Sequence, residues 1–228
     1  MNEREARAEI CRVGASLYAR GYAHATAGNI SMRLPQGAGG GFLITPTDAC
    51  LGTLTPDRLA QLDEAGVQTS GDRASKTIAL HRAIYEATAA AGRPAHCVIH
   101  THSTHCVAMS LPERGMQPPP ELLAPLTPYF VMKVGHVPLI PYRRPGDGDA
   151  ALAVAAAIAR YATRGILLRA VMLTRLGPNV WHDTPAEAMA VLEELEETAK
   201  LAVLDGGAAA PLDEAHIEEL RQAFGAQW

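Results

Sequence analysis

No stretch of this 228-residue chain approaches the roughly 20 apolar residues that a membrane-spanning helix needs. The start, Met1-Asn2-Glu3-Arg4-Glu5, is charged and lacks the apolar core of a secretory leader. Basic residues are not in excess: 20 Lys and Arg stand against 24 Asp and Glu, for a net charge of -4. They are scattered, so no nucleic-acid footprint is expected. Cysteine is sparse as well. Cys11, Cys50, Cys97 and Cys106 show no closely paired spacing, which argues against a disulfide framework and reads as reduced thiols in a cytoplasmic protein. Internal repeats and domain-sized linkers are missing too, so residues 1–228 read as one domain.

What is present suits a folded core, with 48% hydrophobic and 19% charged residues. Ala6, Ile10, Val13 and Leu17 recur at helical spacing within residues 3–20. The glycine-rich run 36–41 reads as a hairpin tip before a strand at 42–45. A short helical turn is expected over 57–62, and a helix through His81, Ile84 and Tyr85 with Ser75 as its cap. Further strands are expected at 97–99, 127–133, 137–140 and 171–174, with Pro118-Pro119-Pro120 as a stiff connection. Leu152, Ala155, Ala159 and Ala162 form one apolar stripe. Ala188, Leu192, Leu195, Ala199 and Ala202 form another, in a helix opened by Thr184, Pro185 and Glu187. A short helix, 213–224, closes the chain. Strands alternating with helices predict an α/β layer fold.

The chemistry gathers around Val98-Ile99-His100-Thr101-His102-Ser103. Alternate side chains of a strand share a side, so His100 and His102 aim one way and can share a divalent metal. They can equally be two hydrogen-bonded histidines at a strand end. Thr26-Ala27-Gly28-Asn29-Ile30-Ser31 allows close backbone approach to a ligand, or is an ordinary turn into a strand. Ser75, Lys76 and the open amides of a helix start suit an anion. His105 lies either along the same cleft or in the core. Arg143 and Arg144 are either a solvated corner or a contact for an anionic substrate.

Taken together, Ala27-Gly28-Asn29-Ile30-Ser31, Thr45-Pro46-Thr47, the Ser75 loop with His81, His100-x-His102 and the late strand before Gly177 resemble the class II aldolase / epimerase family. Leu51-Gly52, Ser70-Gly71-Asp72, Ser103-Thr104-His105, the run 127–135 and Pro145-Gly146-Asp147 are similar to its 3-oxo-tetronate 4-phosphate decarboxylases. The resemblance implies a three-layer α/β fold with a central, mainly antiparallel sheet flanked by helices. It also implies a homotetramer with active sites between subunits. By the same resemblance Gly28, Asn29, Ser31, Thr45, Thr47, Ser75 and Lys76 bind a small anionic sugar or sugar-acid substrate. Lys76, His105 and Tyr129 are the candidate catalytic residues, and His100 and His102 hold a divalent metal, zinc or manganese. Three positions depart from the family pattern. Leu176 stands where a third metal histidine is expected, Thr77 where a glutamate is expected, and Asp48 where a glycine is expected beside the phosphate. His182, His105 and Asp48 are candidates to complete the metal set. The expected activity is carbon–carbon lysis, decarboxylation before aldol cleavage, because a β-keto acid loses CO₂ without a base. The alternatives are a metal-free isomerase or lyase, and a non-catalytic binding or assembly subunit.

Overall fold

The computed structural model describes residues 1–111 and 119–228. Pro118 of the expected stiff connection lies outside the described residues. Helix α1 (Glu3–Ala19) opens with a capping box. Asn2 Oδ1 accepts from the Glu5 amide at 2.9 Å, and the Glu5 carboxylate accepts from the Asn2 amide at 2.9 Å. The strands are β1 (Asn29–Arg33), β2 (Phe42–Ile44), β3 (Ala60–Leu62), β4 (Gln68–Ser70), β5 (Cys97–His100), β6 (Leu139–Ile140), β7 (Ala170–Leu173) and β8 (Gly177–His182). The remaining helices are α2 (Ile78–Ala90), α3 (Thr104–Met109), α4 (Gly148–Ala162), α5 (Pro185–Asp205) and α6 (Glu214–Phe224).

Among the described residues the strands make one sheet in the order β4-β3-β2-β1-β5-β8-β7-β6. Every neighbouring pair is antiparallel except β6 with β7. Side chains alternate across this sheet, and the two faces carry separate apolar clusters. Ile30, Cys97, Ile99, Met172 and Val180 pack with α1, α3 and α5 through Ile10, Leu17, Cys106, Leu192 and Leu195. Ile44, Val98, Val171 and Trp181 pack with α2 and α4 through Ile84, Tyr85, Val154 and Ile158. The result is three layers, with the sheet in the middle. The α5 expectations hold: Thr184 caps, Pro185 begins the helix, and Ala188, Leu192, Leu195, Ala199 and Ala202 are buried.

Four expectations are corrected. Residues 127–133 do not form a strand; Phe130–Val134 is a single π-helical turn. The Thr127 hydroxyl accepts from the Phe130 amide at 3.1 Å and its carbonyl from Val131 at 3.2 Å, so the chain curls despite its aromatic and β-branched run. In the 57–62 stretch a 3₁₀ turn, Pro56–Arg58, gives way to β3. In α4 the buried face is Val154, Ala157, Ile158 and Tyr161, while Leu152 is 71% exposed. An alanine-rich helix leaves its phase open until α2 packs against the larger side chains. Finally, Thr77 rather than Ser75 occupies the cap of α2, and no side chain caps that helix.

The junction of β5 and β8 demands a glycine. Gly177 has φ +147°, and a Cβ there would overlap the Thr101 carbonyl oxygen. Gly177→Ala is therefore expected to cost roughly 3 kcal/mol in a urea melt, the upper range for backbone strain plus overpacking. Gly92→Ala, at φ +81° with open space around the added methyl, should cost only about 1 kcal/mol. Equal costs would contradict the close approach.

Candidate active site

The ends of β1, β5 and β8 lie side by side, with His100 opposite Asn29 on one flank and Asn179 on the other. All three are buried. Gly28 presses on this row from one side: its φ is +89°, and a Cβ would come within 2.9 Å of the His100 carbonyl oxygen. Gly177 presses on Thr101 from the other. The chain leaving β5 is thus held between two backbones. His100 Nδ1 lies 2.9 Å from the Pro178 carbonyl, which can only accept. Nδ1 therefore carries the proton and the Nε2 lone pair is free. Burial and the neighbouring His102 ring lower the His100 pKa to about 4. Burial and then His24 lower that of His102. Both imidazoles are neutral near pH 7, as metal ligands must be. Their ring centroids are 5.0 Å apart.

His100 and His102 face a cleft of about 380 Å³ that Gly28, Asn29, Thr47, Ser75 and Lys76 also line. Asn29 donates to the Thr77 hydroxyl at 3.3 Å, tying β1 to the start of α2. Arg143, Arg144 and Asp147 also line the cleft. Asp147 caps α4 and lies 3.9 Å from Arg144, so Lys76, Arg143 and Asp48 are the remaining charged residues that line the cleft. That balance favours an anion of modest charge.

Other expected site residues lie elsewhere. Ser31 is fully buried beneath the cleft, its hydroxyl 2.7 Å from His81 Nδ1 and 2.7 Å from the Tyr85 hydroxyl. Thr45 is fully buried too, and its hydroxyl accepts from the Ile30 amide at 3.2 Å. These two hold β1 in place and cannot reach a substrate. His105 is outside the cleft: its Nδ1 is 2.9 Å from Glu196 Oε1. The Glu196 carboxylate also accepts from the His105 and Cys106 amides at 2.9 and 3.0 Å, anchoring the start of α3 to α5. Burial pushes the Glu196 carboxyl up, but the hydrogen bonds from Cys106 and His105 outweigh it and hold it below the usual range. Tyr129 is 61% exposed and lies outside its own chain's cleft. His182 sits at the far end of β8, opposite Cys97, where its ring bonds Glu187 at 3.1 Å. It cannot join His100.

The donor set fits the implied metal centre at two positions and fails at the third. Leu176 lines the cleft beside His100 and His102, as its place before Gly177 requires, and offers no lone pair. Thr77 supplies a hydroxyl where a carboxylate is expected. The backbone at the altered positions is informative. Asp48 has φ +56° and Arg175 has φ +66°. Glycine, the residue the resemblance implies at position 48, adopts such an angle readily, while Asp and above all Arg do so at a cost. Missed in the sequence were His24, whose ring lies 6.3 Å from that of His102, and Asn179, buried with both side-chain polar atoms unpartnered among the described residues. Neither sits in a recognisable motif.

The three-layer sheet-and-helix architecture, with a histidine pair at the end of a central strand, agrees with the family resemblance of the sequence. The chain belongs to the family described as Class II Aldolase and Adducin N-terminal domain, which matches residues 8–203. It is 52% identical to the 3-oxo-tetronate 4-phosphate decarboxylase of Cupriavidus necator, with 99% of each chain covered. It is 40% identical to the protein of that name from Escherichia coli K12, covering 90% of this chain and 89% of the other. Its fold matches the crystal structure of YgbL from Escherichia coli with a TM-score of 0.82, at 38% identity over 96% of this chain and 99% of that one. L-fuculose-1-phosphate aldolase from Thermus thermophilus matches with a TM-score of 0.69, at 28% identity over 90% and 97%. The expected family and the sheet-and-helix architecture are therefore right.

His81 generates a prediction about pH. It is fully buried, and burial, with the adjacent His100, lowers its pKa from 6.5 to about 3. Below pH 6.5 the unfolded chain takes up a proton that the folded chain refuses. Stability should therefore fall as pH drops from 6.5 toward about 3, at about 1.4 kcal/mol per pH unit for this one group. Denaturant melts of the chelator-treated protein should show this slope reduced in His81→Gln. An unchanged slope would mean that His81 is charged or exposed in the folded state.

Proposed function

We propose that this chain is a carbon–carbon lyase that decarboxylates a small 3-oxo sugar acid bearing a phosphate, the chemistry named for its relatives from Cupriavidus necator and Escherichia coli. The observation that carries the reading is the presence of Lys76 and Arg143 in the lining of one cleft with two neutral imidazoles. The phosphate end rests on Gly28, Asn29, Thr47 and Ser75 with Lys76 as its counter-charge. The substrate carboxylate leaves as CO₂, and the electron pair of the broken C1–C2 bond passes into the C3 ketone as an enediolate. A cation beside that oxygen lowers the barrier where charge develops. Protonation at C2 then gives a three-carbon ketose phosphate. No general base is needed, so Thr77 in place of a carboxylate is tolerated.

Zinc or manganese on His100 and His102 is the finer part of this reading. Because the family donor set fails at Leu176, the chemistry assigned to the cleft is that of its own side chains. Tyr129, exposed beside the π-helical turn, suits a homotetramer with sites between subunits, in which it serves a neighbouring cleft. One domain over residues 1–228 and a cytoplasmic setting accord with four free cysteines. Leu176 and Thr77 favour a second reading, isomerisation through the same enediolate without loss of CO₂.

With 3-oxo-tetronate 4-phosphate, wild-type protein is expected to release CO₂ in a coupled assay. Lys76→Met should lose roughly 100-fold in kcat/KM, about 2.7 kcal/mol of transition-state stabilisation. No turnover by the wild type, or full activity in Lys76→Met, would sink the assignment. Asp48→Gly removes a like charge and a strained φ. It should lower KM several-fold for the phosphorylated substrate and leave KM for a phosphate-free analogue unchanged.

A further inference from the structure

We infer that His182, Asp183 and Glu187 form a binding site for a divalent transition-metal ion of the zinc class, at the other end of β5 and β8 from the cleft. Among the described residues these three offer donor atoms that all lie within 4.8 Å of one another. His182 ends β8, opposite Cys97, three residues and roughly 10 Å along the strands from the row that holds His100. Asp183 follows it, and Glu187 lies in the first turn of α5. A tetrahedral ion about 2.1 Å from each donor sets neighbouring donors about 3.4 Å apart. His182 Nδ1 stands 3.1 Å from Glu187 Oε2 and 4.0 Å from Asp183 Oδ2, on either side of that spacing.

The contacts of His182 point to a cation. Its Nδ1 accepts from the Asp183 amide at 2.8 Å and also faces the Glu187 carboxylate at 3.1 Å. The first contact needs a lone pair on that nitrogen and the second needs a proton, and one nitrogen cannot offer both. A cation bound by both the nitrogen and the carboxylate removes the conflict. The carboxylate is already oriented, because the Thr184 hydroxyl donates to Glu187 Oε2 at 2.9 Å, the kind of supporting bond that holds metal ligands in place. His96 stands on the outer side of Asp183, its Nδ1 4.0 Å from Oδ1, and supports the donor set without joining it. The start of α5 opposes a cation with about half a unit of positive charge, but two ionised carboxylates at ligand distance bring two full negative charges. A donor set that mixes imidazole with carboxylate suits zinc, nickel or cobalt better than calcium or magnesium, which take oxygen ligands. The bound ion clamps the end of β8 to the start of α5, away from the substrate cleft.

Zinc titration of the chelator-treated protein by calorimetry tests this, in a His100→Ala/His102→Ala background so that the cleft pair contributes no ion. That background should bind about one zinc per chain. Adding Asp183→Asn and Glu187→Gln, near-isosteric changes that leave Thr184 as the helix cap, should weaken binding roughly 100-fold, as expected when two of three protein ligands are lost. His182→Gln in the same background should weaken it comparably, and circular dichroism verifies the fold of each variant. Zinc binding unchanged by both sets of substitutions, or no binding by the background protein, would overturn the proposal. Because the cleft histidines are absent and no substrate is present, each result is independent of whether the chain decarboxylates a sugar acid.

Discussion

The site depends on how closely two backbones approach the end of β5. Gly28 comes up against the His100 carbonyl and Gly177 against Thr101, both at positive φ where a side chain would be strained and obstructed. With the strand end held from both sides, the Pro178 carbonyl can take the Nδ1 proton of His100 and leave its other nitrogen facing the cleft. Burial then keeps the ring neutral. A metal-ligating or hydrogen-bond-accepting imidazole is thus set up by main-chain geometry before any cofactor or substrate arrives. The layers beneath serve that arrangement. The His81–Ser31–Tyr85 chain ties α2 to β1, and Glu196 ties α3 to α5 on the opposite face.

The parts legible in the sequence were those with local physical signals. The apolar stripe of α1, the Thr184-Pro185 start of α5 and its apolar stripe follow from short-range rules and were read at nearly their observed bounds. The histidine pair lines one cleft too, although β5 ends at His100 and His102 lies beyond it, before α3. The π-helical turn at Phe130–Val134 was not legible, since its composition is that of a strand and its curl depends on the Thr127 hydroxyl. The phase of α4 was hidden by its alanines. At the site, Gly28, Asn29, Thr47, Ser75 and Lys76 reach the cleft as expected. Ser31 and Thr45 carry the same hydroxyl chemistry one layer down, in the service of β1. Linear motifs do not separate those roles; burial does.

The departures from the family pattern sit on a preserved backbone. Positions 48 and 175 have left-handed angles suited to glycine, yet hold Asp and Arg. Leu176 keeps the register that Gly177 imposes and presents an apolar side chain to the cleft that His102 lines. The class II aldolase fold is present, then, and Leu176 and Thr77 present neither an imidazole nor a carboxylate to its cleft. Decarboxylation is the family reaction that best survives such changes, because it requires a cation near the developing enediolate and no carboxylate base.

The most direct test of this account follows both the carboxyl carbon and the C2 proton of one substrate. 3-Oxo-tetronate 4-phosphate labelled with ¹³C at C1 is incubated with the protein in D₂O and observed by NMR. The account requires the label to leave as carbon dioxide and bicarbonate, with one deuteron appearing on the carbon that carried it. Label retained in the carboxylate while C2 exchanges its proton would contradict lysis and identify the cleft as that of an isomerase.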